Sequence, residues 1–173
     1  MADALAMAED LLDRVVTQFT AAGVALPAAR YLASGDSGTI AHDYEGDPND
    51  DIVREALMVN VDWVSPGQAG SDQAGNPAAV RTPIDWAQFA VTVVRAAVTL
   101  DADGNSPTVA AIQADGQTSI RDVHTLHRAL RIVAGSDWVP KGAPVALGRT
   151  VTVGPTGRVF ATVGTIQTAV GLS

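Results

Sequence analysis

Hydrophobic positions along this chain switch between a period near 3.6 and a period of 2, and the switches predict its elements. Leu5, Ala8, Leu12, Val15, Val16 and Phe19 recur at three- and four-residue steps, one face of an amphipathic helix over Leu5–Ala22. Asp3 is placed to cap it, and Gly23 and Pro27 stop it. Arg30–Ala33 and Thr39–Asp43 are short strand candidates around a Ser34–Gly38 turn, and Gly46–Asp51 has the composition of a loop. In Ala56–Val64, Leu57, Val59, Val61 and Trp63 alternate with Asn60 and Asp62, a half-buried strand whose apolar side includes the tryptophan.

Ser65–Pro83 is rich in Gly, Pro, Ser, Asn and Gln and predicts a flexible connection. A second strand, Gln88–Val98, is expected to pair antiparallel with the first across it. Asp101–Pro107 breaks the sheet, and Pro107 suits the first turn of a helix. That helix, Val109–Ala134, carries a stripe of Val109, Ile112, Gly116, Ile120, Val123, His127 and Leu130 up to Gly135. Val145–Val153 and Val159–Val170 flank Gly154-Pro155-Thr156-Gly157 and predict a C-terminal hairpin. The expectation is an α+β fold: a mixed, mostly antiparallel sheet with two main helices packed on it. Residues 1–173 form a single domain, with a flexible loop or insertion at about 65–83.

Composition narrows the function. The hydrophobic fraction is 47%, but it leans on Ala and Val with 5% aromatics, a thin core whose apolar surface neighbouring subunits can complete. Without cysteine there is no disulfide, thiolate zinc site or cysteine nucleophile. The acidic start MADALAMAEDLLDR is no secretory signal, and no apolar run approaches the roughly 18 residues of a membrane span, so a soluble protein is expected. A net charge of −8 disfavours a tight grip on phosphate backbones. The acids crowd one stretch: Asp36, Asp43, Glu45, Asp47, Asp50, Asp51 and Glu55, opposed only by Arg54. That stretch reads as a solvated loop, with Asp47, Asp50 and Asp51 at its centre.

Candidate chemistry is sparse. His124 and His127 sit three apart on the second helix but lack a third metal ligand, and His127 falls on the apolar stripe as a half-buried structural residue. Asp101-Ala-Asp103-Gly104-Asn105 opens like a calcium loop yet lacks the sixth-position Gly and twelfth-position Glu. His42-Asp43 is a lone dipeptide. The serines lie in turns without a Gly-x-Ser-x-Gly elbow, and Gly35–Gly38 lacks the lysine of a phosphate loop. Neither enzymatic activity nor a metal or cofactor is expected. Trp86 opens a strand and Trp138 follows the long helix; tryptophans at element ends either join interfaces or cover a core edge. The long Thr/Val-rich strand Val159–Val170, with Arg158 beside it as its charge, would need covering if it formed a sheet edge.

One further pattern is familiar. A helix is followed by the run Leu57–Val64, a Gly/Pro/Gln linker and Phe89-Ala-Val-Thr-Val-Val-Arg95. A long helix and the pair Val151-Thr-Val-Gly-Pro-Thr-Gly to Gly164-Thr-Ile complete the order. Nearly the whole chain resembles the small head–tail junction proteins of long-tailed bacteriophages infecting actinobacteria, most of all the tail terminator. The resemblance implies a virion protein of the tail and neck, assembled in the host cytoplasm as a homo-oligomeric ring, typically of six subunits. Its partners would be the tail tube protein and the head–neck connector protein, with DNA passing through without tight binding. Contacts between subunits are expected from the Ser65–Pro83 loop and the C-terminal hairpin, and Asp47, Asp50, Asp51, Trp86, Trp138 and Arg158 are the candidate interface or lumen residues. The alternatives are a neighbouring connector component, such as a stopper or neck protein, and a small non-viral ligand- or peptide-binding module.

Overall fold

A computed structural model describes residues 3–33, 55–67, 84–100, 104–156 and 158–170. In chain order these form α1 (Ala4–Ala21), β1 (Ala29–Leu32), β2 (Ala56–Gly67), β3 (Ile84–Ala96), α2 (Val109–Ala134), β4 (Val145–Leu147), β5 (Val151–Thr156) and β6 (Val159–Val170). The strands make one mixed, mostly antiparallel sheet in the order β1-β2-β3-β6-β4, with β5 also on β6. Only β1 runs parallel to its neighbour, β2. The α+β expectation holds, as do both helices and the antiparallel pairing of β2 with β3. The Thr39–Asp43 strand candidate lies outside the described residues.

Each element has a local cause. Of the expected α1 stripe Ala8, Val15 and Phe19 are buried, but Leu12 and Val16 are only partly so and Leu5 is 57% exposed, because the inward face is centred on Leu11 and Val15. Asp3 sits at the N-cap, but its side chain makes no capping bond. At α2 the cap is Thr108, whose hydroxyl accepts the Ala111 amide at 3.2 Å, so Pro107 lies just ahead of the helix and not in its first turn. Both helices cover one sheet face. α1 lies over β1 and β2, α2 over β6, β4 and β5, and between helices and sheet are Leu57, Val59, Phe89, Val91, Val93 and Ile166.

Two glycines allow close approach. A Cβ on Gly164 would stand 2.8 Å from a methyl of Leu130, so α2 rests directly on β6 there. At Gly148 a Cβ would strike the Thr165 hydroxyl, while the Gly148 amide bonds the Thr165 carbonyl at 2.9 Å. That contact falls in the break between β4 and β5, which divides the expected Val145–Val153 strand.

Three expectations are corrected. β6 is not an edge: β3 flanks it on one side and β4 and β5 on the other. Trp63 is not core. The β2–β3 register shifts between Val61 and Trp63, and the extra residue, Asp62, turns Trp63 onto the face that carries Asn60, leaving it 39% exposed. The phase of α2 also differs. Its buried residues are Asp122, Thr125, Leu126, Ala129, Leu130 and Val133, while Val109, Ile112, Ile120 and His127 are exposed.

The phase follows from a buried ion pair. Asp122 is fully enclosed and receives two bonds from Arg95 of β3, Nε at 2.8 Å and Nη2 at 3.0 Å. Nη2 also donates to the Ala25 carbonyl at 2.7 Å, and Nη1 reaches Glu55 at 3.4 Å. Burial disfavours the Arg95 charge, but the bonded Asp122 and then Glu55 outweigh it and hold the guanidinium above its ordinary pKa. An aspartate thus occupies the centre of a helix's inward face, where hydrophobicity alone predicts none.

Urea denaturation of four variants checks this packing. Asp122→Ala removes the nearer carboxylate of a buried guanidinium, leaving it the longer contact to Glu55, and should cost about 3–5 kcal/mol, much of it regained in Arg95→Met/Asp122→Leu. Leu126→Ala should cost about 2–5 kcal/mol, whereas Ile112→Ala should change unfolding of the dissociated subunit by no more than about 0.5 kcal/mol.

Candidate functional site

The structure scatters the residues singled out in the sequence. Asp47, Asp50 and Asp51 lie outside the described residues, as do His42 and Asp43. Trp138 is 4% exposed: its indole Nε1 donates to the Met7 carbonyl at 2.9 Å, and its ring meets Phe89 edge-on at 5.3 Å. It closes the core between the end of α2 and the start of α1, the core-edge role of the two open to it. Trp86 is half-buried near the start of β3, opposite Ala169 of β6 and Ser65 of β2. Arg158 is exposed beside the β5–β6 turn, where its carbonyl accepts the Ala97 amide at 2.7 Å.

Two surfaces stand out instead. One belongs to the sheet face away from the helices. At one end of that face Ala56, Met58, Val94, Val159 and Ala161 form a second apolar cluster with Ala29, Tyr31 and Ala33. Towards the other end a line of polar side chains crosses three strands. Gln167 of β6 donates to Gln88 of β3 at 2.6 Å, Gln88 to Asp62 of β2 at 2.7 Å, and Asn60 to the other oxygen of Asp62 at 2.5 Å. Trp63 pairs across from Gln88 and Trp86 from Ser65, so both indoles flank this line. Register alone brings these residues together, and the bulge at Asp62 is what aims Trp63 at them.

The other surface is α2 itself. Every buried residue of this helix lies at or after Asp122, so its first half carries none. That half nevertheless exposes Val109 (81%) and Ile112 (54%), and Ile120 (62%) continues the row. The Ser119 hydroxyl meets Thr152 of β5 at 2.8 Å, and His127 Nδ1 lies 3.5 Å from Thr150. The stripe read in the sequence as core therefore faces sideways, over the β4/β5 edge. Isolated exposed apolar residues are ordinary, whereas Val109, Ile112 and Ile120 share one face of the helix.

Charge separates along the same helix. Arg121, Arg128 and Arg131 are exposed on its second half with His124 and His127, and the only carboxylate there, Asp122, is occupied by Arg95. Arg149 adds a further exposed cation between β4 and β5. A shallow depression lined by His124, His127, Arg128, Arg131 and Ile132 lies on this side. The two histidines share it without a carboxylate, and no cluster of three or more His, Asp or Glu side chains that could hold a metal occurs among the described residues. The half-buried structural role expected for His127 is corrected, because its side chain is exposed.

No helix among the described residues is long and apolar enough to cross a membrane. Compared with known proteins, the chain matches no protein-family model and no curated protein.

The placement of Trp138 inside the subunit has a measurable consequence. Trp138→Phe removes the bond to Met7 and part of the enclosed ring, and should lower unfolding stability by about 1–3 kcal/mol. Size-exclusion elution under native conditions should not shift, as it would for an interface residue.

Proposed function

We propose that this chain is a structural virion protein of a long-tailed bacteriophage. In this reading it is a tail-terminator-like subunit that self-associates into a ring at the head-proximal end of the tail tube and joins the tail to the head–neck connector. The observation that carries the reading is the unsupported half of α2: an apolar row on a rigid helix, beside an edge strand, with no partner for it among the described residues. A surface of that kind is suited to protein–protein contact. The α+β architecture and the order of its segments agree with what the sequence resemblance implies, and the acidic balance of the chain suits a ring through which DNA slides without adhering.

A second reading has its own observation. Trp63 and Trp86 beside the Gln88–Gln167 pair offer stacking surfaces and amide groups on one sheet face, which suits a peptide- or ligand-binding module acting as a monomer or dimer. Mass in solution separates the two. Sedimentation equilibrium should give a closed oligomer of about six subunits, as in the family this chain resembles, and negative-stain images should show rings with a central opening. Linear DNA should not be retarded by the protein at about 0.15 M salt. A monomer at micromolar concentration would sink the ring and leave the binding module standing.

A further inference from the structure

The two lateral ends of the subunit differ in character, and the difference is complementary. At one end α2 overhangs β4 and β5, with Ile112 and Ile120 exposed, Arg131 on the same helix face as Ile120 and Arg149 exposed in the β4–β5 break, while Arg128 lines the cleft against α1. At the other, α1 lies over β1. Gln18 and Ala22 of α1 line a cleft against α2, and Arg14 reaches Asp137 just beyond α2, so that side of α1 faces inward. Leu5, Glu9, Leu12 and Val16 fall on the opposite side of the helix, towards the β1 edge. Leu5 is 57% exposed, Leu12 and Val16 are partly buried, and Glu9 and Asp13 are exposed. This end is apolar with an acidic rim, moderated by Arg30 on β1; the α2 end is apolar with a basic rim.

We propose that the α2 end of one copy docks on the α1/β1 end of the next, a head-to-tail contact repeated around the assembly. The proposal rests on the ring reading above and names the surfaces that would make the ring. The occupant is a second copy of this chain for two reasons. The chain carries the matching apolar face with the opposite charge at its own far end. Two different patches, one at each end, are also what a closing ring requires, whereas a two-fold dimer pairs one patch with itself. Two α2 ends brought together would oppose their arginines, and two α1 ends would oppose Glu9 and Asp13, so charge selects against both like pairings. Among the described residues β1 and β4/β5 are the outermost strands of the sheet, at these same two ends.

Variants with one disabled end test this. Ile112→Asp/Ile120→Asp places carboxylates in the apolar row of the α2 end. Leu5→Gln/Glu9→Gln/Asp13→Asn removes the anchor and the charge of the α1 end. All five positions are exposed, and thermal melts should confirm that each variant folds. Each variant alone should sediment as a monomer at concentrations where the unmodified chain is a ring. Mixed in equal amounts, the two should form a species of twice the monomer mass and nothing larger, because only one intact pair of ends remains. If the α1-end variant still forms full rings, this contact is wrong while the ring reading survives. If the unmodified chain is itself monomeric, the ring reading fails and the contact fails with it. A self-pairing α2 surface would show as full assembly of the α1-end variant together with dimers of the unmodified chain, and would overturn the head-to-tail contact.

Discussion

The Arg95–Asp122 pair is the interaction on which the arrangement of this protein turns. An ionised carboxylate with no solvent exposure is tolerable only when its charge is matched and its oxygens are bonded, and Arg95 supplies both with its planar fork. The same guanidinium reaches the Ala25 carbonyl in the α1–β1 connection and Glu55 at the start of β2. One side chain on the central strand β3 thereby ties α2, the α1–β1 connection and the entry to β2 to a single point. A pair of this kind adds little net stability over an apolar substitute, but it disfavours alternative arrangements, since a rotation of α2 that carried Asp122 outward would leave the buried Arg95 without its closest carboxylate.

From that point the rest of the helical layer follows. With Asp122 inward, Thr125, Leu126, Ala129, Leu130 and Val133 are inward too, and Leu126 and Leu130 settle onto Gly164, where a side chain would hold the helix away from β6. Trp138 then closes the layer through Phe89 and the Met7 carbonyl. The N-terminal half of α2 is left beyond this anchored region. Its amino end is held by the Thr108 cap, and Asp115 accepts the Val98 amide at 2.7 Å, but no buried side chain fixes it to the sheet. Among the described residues its apolar side chains Val109, Ile112 and Ile120 are exposed, and this is the observation on which the proposed assembly role draws.

The elements themselves were legible in the sequence because they depend on local periodicity. α1, with Ala8, Val15 and Phe19 inward, and the termini of α2 at Val109 and Ala134 follow from residues a few positions apart. So do the alternation of Leu57 and Val59 in β2 and the antiparallel fit of β5 with β6 around their turn. The mixed sheet with two helices on it follows in turn from counting those elements. Composition likewise excluded cysteine chemistry without reference to any fold.

Tertiary structure alone decided what each face meets. The apolar row Val109, Ile112, Ile120 is visible in the sequence, but its assignment to core or surface turned on Asp122 finding Arg95, 27 positions away. β6 reads as a candidate edge until β3 and the divided β4/β5 strand enclose it, and Trp63 reads as core until one extra residue, Asp62, shifts its register against β3. Trp138 after a helix reads as either an interface residue or the cover of a core edge, and the carbonyl that claims it lies 131 positions earlier. Periodicity says that a segment has two faces. Which face is buried is a free-energy comparison between partners distant in the chain, and those partners meet only once the sheet has formed.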